Sequence, residues 1–464
     1  MNKKVIIAYN DSRQPNKSIR SITGDKSYGE AIFKRKTLRE HTREVFSECD
    51  NIECFVDDKD FSAEDSALKT PVIRMYSDFV VYDKEKLNVL ITKALCAHDN
   101  YKVTLNNKVA CVIYKNVKEF LESNENELDE CDSIPGDCFY DISEVINFRR
   151  FITSGFEARF FNSVSGDEYT VVKSSDNIEK IKAEYTFYTL LPADMKQWFV
   201  EPYNYMEDSD KASYSMLRYH MTDLAIRYVH GAIGITEYNC ILDKLFYFLK
   251  IRKTKSVGHA EYEEMADKLY IQKVHDRIAL LKKSAGYDKI ASLISTSTDY
   301  NNIDEIVDKY IKLYENVRSD KKFMDVQVVS HGDLCFSNIL FSEEVSLMKL
   351  IDPKGAIAED GLYMDPYYDI AKLSHSICGL YDFYNSDRYE IVYDEGLKAR
   401  IQIDADTTAY VDCFKNRLTS YGVDYRLIRI YEVSLFLSML PLHMDRPKKV
   451  FAFILNALDI MDTL

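Results

Sequence analysis

A chain of 464 residues has room for roughly three domain-sized units. With 46% hydrophobic and 29% charged residues it has the composition of an ordinary globular protein and too much apolar content for a disordered one. A net charge of −15 argues against non-specific binding to nucleic acid or membrane surfaces, which needs clustered lysine and arginine, yet it permits a small anion held by local cations.

The N-terminus, MNKKVIIAYNDSRQ, turns polar after a few apolar residues and reads as a strand, not a signal peptide. The ten cysteines are scattered without a C-x-x-C pair, which fits reduced thiols in a cytoplasmic protein better than disulfides or zinc. From 1 to about 120, short apolar runs (VIIAY at 5–9, VIRMY at 72–76, ACVIY at 110–114) alternate with a helical stretch at 83–97. This order predicts an α/β domain with some parallel pairing. The acid-rich segment 121–140 around Pro135-Gly136 then reads as a linker and domain boundary.

Beyond it, 141–215 is expected to form a small α+β unit. FEARFFNSV (156–164) and EYTVVKSS (168–175) would be strands joined by a turn at Ser165-Gly166-Asp167, with a helix over 177–190. Residues 216–464 are mainly helix-compatible, with KLYIQKVHDRIALLKK (268–283) clearly amphipathic. The longest apolar stretch, Val433 to Leu442, is far short of the ~18 residues a membrane span requires.

One strand–loop–strand block, 326–353, interrupts these helices and carries the chemistry. VQVVSHGDLCFSNILF sets Asp333 and Asn338 on a loop between apolar runs, and MKLIDPKG sets Asp352 after a further strand. Phosphoryl transfer from ATP needs a base near the incoming hydroxyl and oxygen ligands that hold Mg²⁺ against the phosphates. Asp333 is the candidate base. Asn338 and Asp352 supply the amide and carboxylate oxygens that Mg²⁺ prefers. Cys335, inside the loop, reads as a spacer and not as a nucleophile.

H-G-D-x-x-x-x-N followed by I-D, with DPYYDIA at 365–371, resembles the catalytic and metal-binding loops of the aminoglycoside phosphotransferase and choline kinase family, relatives of protein kinases. The resemblance implies a two-lobed α+β body over ~141–464, with an N-lobe at 141–215 and a hinge and helical C-lobe at 216–464. It implies a catalytic role for Asp333 and Asn338, metal binding by Asn338 and Asp352, and structural support from His331 and Asp369. Lys173, at the end of a strand, would neutralise the donor phosphates, with Glu184 as its ion-pair partner and Glu179 as the competing acid. MLRYHMTDL (216–224) falls where the hinge would meet adenine, and reads equally as a buried strand entering a helix. No G-x-G-x-x-G occurs; Ser165-Gly166-Asp167 stands in the place of the phosphate-covering loop.

The expected activity is that of an ATP- and Mg²⁺-dependent kinase acting on the hydroxyl of a small molecule, a sugar or an amino alcohol, with no nucleic-acid or membrane partner. A catalytically silent nucleotide-binding scaffold is the competing reading. Lys273 and Arg277 share one helix face that could clamp an anionic acceptor or simply be solvated, with His275 nearby; His443 and Asp445 read as helix-junction residues. The first domain is similar to sugar-nucleotide nucleotidyltransferases. Asp78 stands at the metal-binding position, but AYNDSRQPNKS offers no glycine and only Arg13 and Lys17 as cations. A degenerate or architectural domain is therefore expected, with an active nucleotidyltransferase as the bifunctional alternative, and the fusion of two such units associates the kinase with bacterial surface-polysaccharide synthesis.

Overall fold

The computed structural model describes residues 4–62, 69–123, 131–153, 164–319 and 321–464. They divide into two compact units, Met1–Phe156 with His230–Ala232, and Glu157–Val229 with Ile233–Leu464.

In the first unit, β1 (Val5–Asn10) lies parallel to both β2 (Ile52–Asp57) and β3 (Val72–Tyr76). The apolar run of β1 is buried on both faces, as a central parallel strand requires. Two helices, α1 (Lys17–Thr23) and α2 (Leu38–Ser47), carry the crossover to β2. The second of these is started by a capping box between Thr37 and Glu40. After α3 (Lys84–Leu95), the hairpin β4 (Tyr101–Leu105) and β5 (Lys108–Tyr114) adds antiparallel to β3, and β6 (Asp132–Pro135) joins β4 in parallel. The resulting sheet has the order β2-β1-β3-β5-β4-β6.

The segment expected as a linker at 121–140 is therefore not one over its described part. It supplies the edge strand β6, and Phe139–Asp141 pairs with Phe79–Val81. Acids and Pro135 are tolerated there because an edge strand leaves one side of its ladder unpaired. The helix Val145–Ile152 belongs to the same unit, so the boundary falls near Phe156 and not at 121–140.

The second unit begins with a four-stranded antiparallel sheet of β7 (Val164–Gly166), β8 (Thr170–Ser175), β9 (Pro202–Glu207) and β10 (Ala212–Leu217), in the order β7-β8-β10-β9. Residues 156–163 of the expected first strand lie outside the described residues. The hairpin turn sits two residues later than the sequence suggests. Ser165 and Gly166 are in strand, and the Asp167 carboxylate caps the turn by accepting from the Tyr169 and Thr170 N–H groups at 2.8 and 2.7 Å. Helix α4 (Ile178–Leu190) packs Ile181 against Ala212 and Tyr214 of β10. The 216–224 stretch leaves β10 at Leu217, forms a short strand at Thr222–Asp223 and enters the helix Leu224–Val229.

The rest of the unit is mainly helical. It is built around α5 (Ile235–Ile251), α6 (Lys273–Lys282), α7 (Tyr368–Ile377), α8 (Tyr425–Met439) and α9 (Pro447–Asp462). The apolar stretch at 433–442 lies mostly on α8, which is buried nearly all round, and no helix among the described residues is long and apolar enough to cross a membrane. Into this helical body are set β11 (Val326–Val329) and the antiparallel pair β12 (Ile339–Ser342) and β13 (Leu347–Leu350).

Candidate active site

The loop between β11 and β12 is held from beneath by a buried carboxylate. Asp369, wholly buried at the start of α7, accepts hydrogen bonds from the backbone N–H of His331 (3.0 Å) and of Gly332 (2.9 Å). Its charge is matched by Arg252, 3.2 Å away at the end of α5. Gly332 has φ +78°, and a Cβ there would come within 2.6 Å of the Lys354 Cβ, so glycine is required. The His331 ring is buried and burial pushes its pKa down. Its Nδ1 accepts from the Asp333 N–H at 3.2 Å, and Nε2 donates to the Ile351 carbonyl at 2.9 Å, which fixes a neutral tautomer.

Asp333 thus stands at the tip of a braced loop. One carboxylate oxygen meets Lys372 Nζ at 2.8 Å, and the other accepts from Asn338 Nδ2 at 3.2 Å. Burial raises the pKa of this carboxyl, but the Lys372 ammonium outweighs that and holds it below the usual carboxylate range. Asn338 also donates Nδ2 to the Asp333 carbonyl at 2.8 Å. With both amide protons engaged by the loop, its Oδ1 is the atom suited to a cation.

Asp352 is joined to this loop through its neighbour. Ile351 is gripped from two sides: His331 bonds its carbonyl, and its N–H donates to the Asn338 carbonyl at 3.0 Å. Asp352 itself has φ +54°, a left-handed conformation that costs about 1 kcal/mol or more in a residue other than glycine. Its carboxylate, 46% exposed, meets Lys173 Nζ at 2.8 Å, and Lys173 meets Glu184 at 2.7 Å. Burial disfavours the lysine charge, yet the two carboxylates more than compensate and raise its pKa. Glu184 is buried on α4 and also accepts from Tyr214 Oη at 3.0 Å, while Glu179 is exposed. The loop after Asp352 docks on the same helix: Ala356 N–H donates to the Ala183 carbonyl at 3.0 Å. Beside Glu184 and Asp352 lies an apolar slot walled by Phe187, Phe199, Met216 and Ile351. Its volume is about 20 Å³, room for little more than a water.

A second and larger cavity, about 270 Å³, opens on the other side of Asp333 and is lined by Lys273, Arg277, Lys372 and His375 among others. Lys273 and Arg277 are therefore cavity residues and not a solvated face; His275 is exposed and apart from it. Cys335 also lines the cavity, buried, with its thiol pushed up to about 12, which makes it inert as a nucleophile. His443 closes the short 3-10 turn Leu440–His443 and its carbonyl accepts from the Arg446 N–H, with Asp445 in the bend between.

The structure thus brings Asp333, Asn338, His331 and Asp369 together around one loop and links them through Ile351 to Asp352, Lys173 and Glu184, leaves Glu179 and His275 outside, and adds three residues that the sequence did not nominate. Lys372 lies three residues past Asp369 on α7, one helical turn on, a spacing that could have flagged it. Arg252 and Tyr214 carry no local sequence signal; they meet Asp369 and Glu184 only through the tertiary fold.

In the first unit Asp78 follows β3, and Arg13 reaches it from the loop after β1. Arg13 Nη1 lies 2.9 and 3.1 Å from the two carboxylate oxygens and 2.9 Å from the Val109 carbonyl, with the guanidinium over the Tyr76 ring. A side chain that would meet nucleotide phosphates in a transferase here neutralises the acid that would meet a metal. Lys17 is exposed on the first turn of α1.

No protein-family model and no curated protein matches the chain. Solved structures that align with it include an aminoglycoside phosphotransferase of Streptomyces rimosus in complex with ADP and streptomycin, at 15% identity, over 62% of this chain and 95% of that one, with a TM-score of 0.35. A thermostable mutant of another aminoglycoside phosphotransferase, in a ternary complex with AMP-PNP and hygromycin B, aligns over 67% and 97% at 11% identity and a TM-score of 0.37. A protein of Haemophilus somnus named as a fructosamine-3-kinase aligns over 63% and 83% at 10% identity and a TM-score of 0.38.

Proposed function

We propose that the second unit is a small-molecule kinase that transfers the γ-phosphoryl group of ATP to an alcohol. The observation that carries this reading is the pairing, within one compact unit, of Lys173–Glu184–Asp352 on one side of Ile351 with the braced Asp333–Asn338 loop on the other. Lys173 would meet the donor phosphates, positioned by Glu184. The acceptor hydroxyl would lie against Asp333, which stays ionised at neutral pH. The acceptor oxygen forms a bond to the γ-phosphorus, the bond from that phosphorus to the bridging oxygen breaks, ADP leaves, and the hydroxyl proton passes to Asp333.

Asn338 Oδ1 and the Asp352 carboxylate are hard oxygen donors that fit Mg²⁺, an ion usually held by one or two carboxylates together with substrate phosphates. Among the described residues no cluster of three or more His, Cys, Asp or Glu side chains is arranged to hold a metal, so the ion would arrive with the nucleotide. When bound, it neutralises charge on the phosphates. For the first unit, the Arg13–Asp78 pair favours a binding or architectural role over nucleotidyl transfer.

The test is a comparison of two variants. Asp333→Ala should keep Mg–ATP binding, read as a thermal shift, while turnover falls by about 10²–10⁴-fold. Asp352→Ala should lose the Mg²⁺-dependent part of that shift. Full turnover in Asp333→Ala refutes the assignment, and a Mg–ATP shift in the native chain without ADP release for any acceptor favours a silent scaffold.

A further inference from the structure

We propose that the acceptor alcohol carries its own anionic group, a phosphate or a carboxylate, bound between Lys273 and Arg277 with its hydroxyl toward Asp333. This rests on the kinase reading above and names the acceptor class for the same cleft. The cavity at Asp333, about 270 Å³, is slightly smaller than the ~300–1,000 Å³ of typical small-molecule sites, so it suits a compact acceptor.

Its charge is lopsided. Among the described residues Asp333 is the one carboxylate lining it, against Lys273, Arg277 and Lys372. Asp333 is already matched by Lys372 at 2.8 Å. Lys273 donates to a neutral group, the Tyr368 hydroxyl, at 3.1 Å, and Arg277 makes no ion pair among the described residues. Four residues apart on α6, these two side chains leave one face of the helix with Cβ atoms about 6 Å apart, so both can reach a single anionic group. Tyr368 reports the surplus: burial would raise its phenol, but Lys372 and Lys273 pull it below its ordinary value.

A second observation is independent of charge. His375, wholly buried in the cavity wall and stacked on Tyr381, has no hydrogen-bond partner at either ring nitrogen. The ring is held between Tyr381 and Phe436 with neither nitrogen accessible, so it is an unsatisfied buried polar group in the wall behind the cations, where native proteins nearly always supply a partner. Burial keeps it neutral, able to donate from one nitrogen and accept at the other. A cationic acceptor would meet two uncompensated cations and no free carboxylate; a neutral one would leave both cations unpaired.

The experiment is calorimetric titration of the full chain with inorganic phosphate, without nucleotide, followed by ADP release with hexose monophosphates, small hydroxy acids, free hexoses, amino alcohols and aminoglycosides. Phosphate should bind and compete with the acceptor. Arg277→Gln and Lys273→Gln should each weaken phosphate about tenfold or more, with Arg277→Lys recovering part of the loss. Asp333→Asn should bind phosphate as tightly as the native chain or tighter while losing turnover. Phosphomonoester against hydroxy-acid turnover separates the two anion sources. No phosphate binding, binding unchanged in both glutamine variants, or faster turnover of neutral or cationic acceptors overturns the anionic class and leaves the kinase standing. Loss of Mg–ATP binding and of all turnover, with phosphate binding intact, overturns the kinase reading instead.

Discussion

Lys372 is the side chain that most changes what Asp333 can do. Burial alone would lift the Asp333 carboxyl above the usual range, and the ammonium holds it below. The folded pKa is depressed, so the carboxylate stays ionised until the pH falls through that lowered value. Removing the lysine takes away the largest contribution that opposes burial and leaves the weaker Asn338 hydrogen bond. In Lys372→Met the acid limb of the pH profile of kcat/KM should therefore move to higher pH, and an unmoved limb would mean that Asp333 is not the titrating base. At the donor end, Lys173→Met should raise KM for ATP by about 10- to 100-fold, read from initial rates, because it removes a charged partner from a buried carboxylate as well as from the phosphates. These positions differ in how openly the sequence shows them. Lys173 and Glu184 are linked by a strand-then-helix order that predicts their approach, and the exposure of Glu179 settles which acid answers. Lys372 is less open: in DPYYDIAK the motif marks the aspartate, and only the one-turn spacing points to the lysine.

At the scale of the element, the turn after β13 is tied to helix α4 by backbone as well as by side chains. Gly355, with φ +87°, passes so close that a Cβ would lie 2.8 Å from the Ala183 carbonyl carbon and 2.9 Å from the Glu184 nitrogen. Gly355→Ala should cost about 1–3 kcal/mol in stability and push α4 away from the turn. Its expected signature is a lower Tm together with a raised KM for ATP; a normal KM would show that α4 is not what positions Lys173. Elements with a clear local signal, such as α4, started by the Asn177 cap, and β1, an unbroken apolar run, were legible to within a residue or two. The turn at 167–169 was misplaced because Ser165-Gly166 carries turn chemistry that here sits inside a strand, and capping by Asp167 won. The edge strand β6 was hidden by the acids that protect it.

At the scale of the whole molecule, the chain is two units with separate cores, and the chemistry argued above belongs to the second. Hydrogen exchange measured with and without Mg–ATP should show protection over 170–190 and 331–356 and none at Arg13 or Asp78; protection around Asp78 would revive a nucleotide site in the first unit. The existence of two units was readable from the change in element pattern. Their boundary was not, because pairing of β6 with β4 is a contact between distant segments that local composition does not encode. One feature of the second unit bears on how a nucleotide would enter it. The apolar slot has room for little more than a water, and Asp352, which lines it, is paired with Lys173. Phosphates brought to Lys173 would meet an ammonium already engaged by Asp352, and the pair would have to part for them to dock. Rapid mixing with a fluorescent ATP analogue should give an observed rate that levels off at high concentration, the mark of a gate opening before capture, whereas a rate that climbs linearly throughout would show a door already ajar.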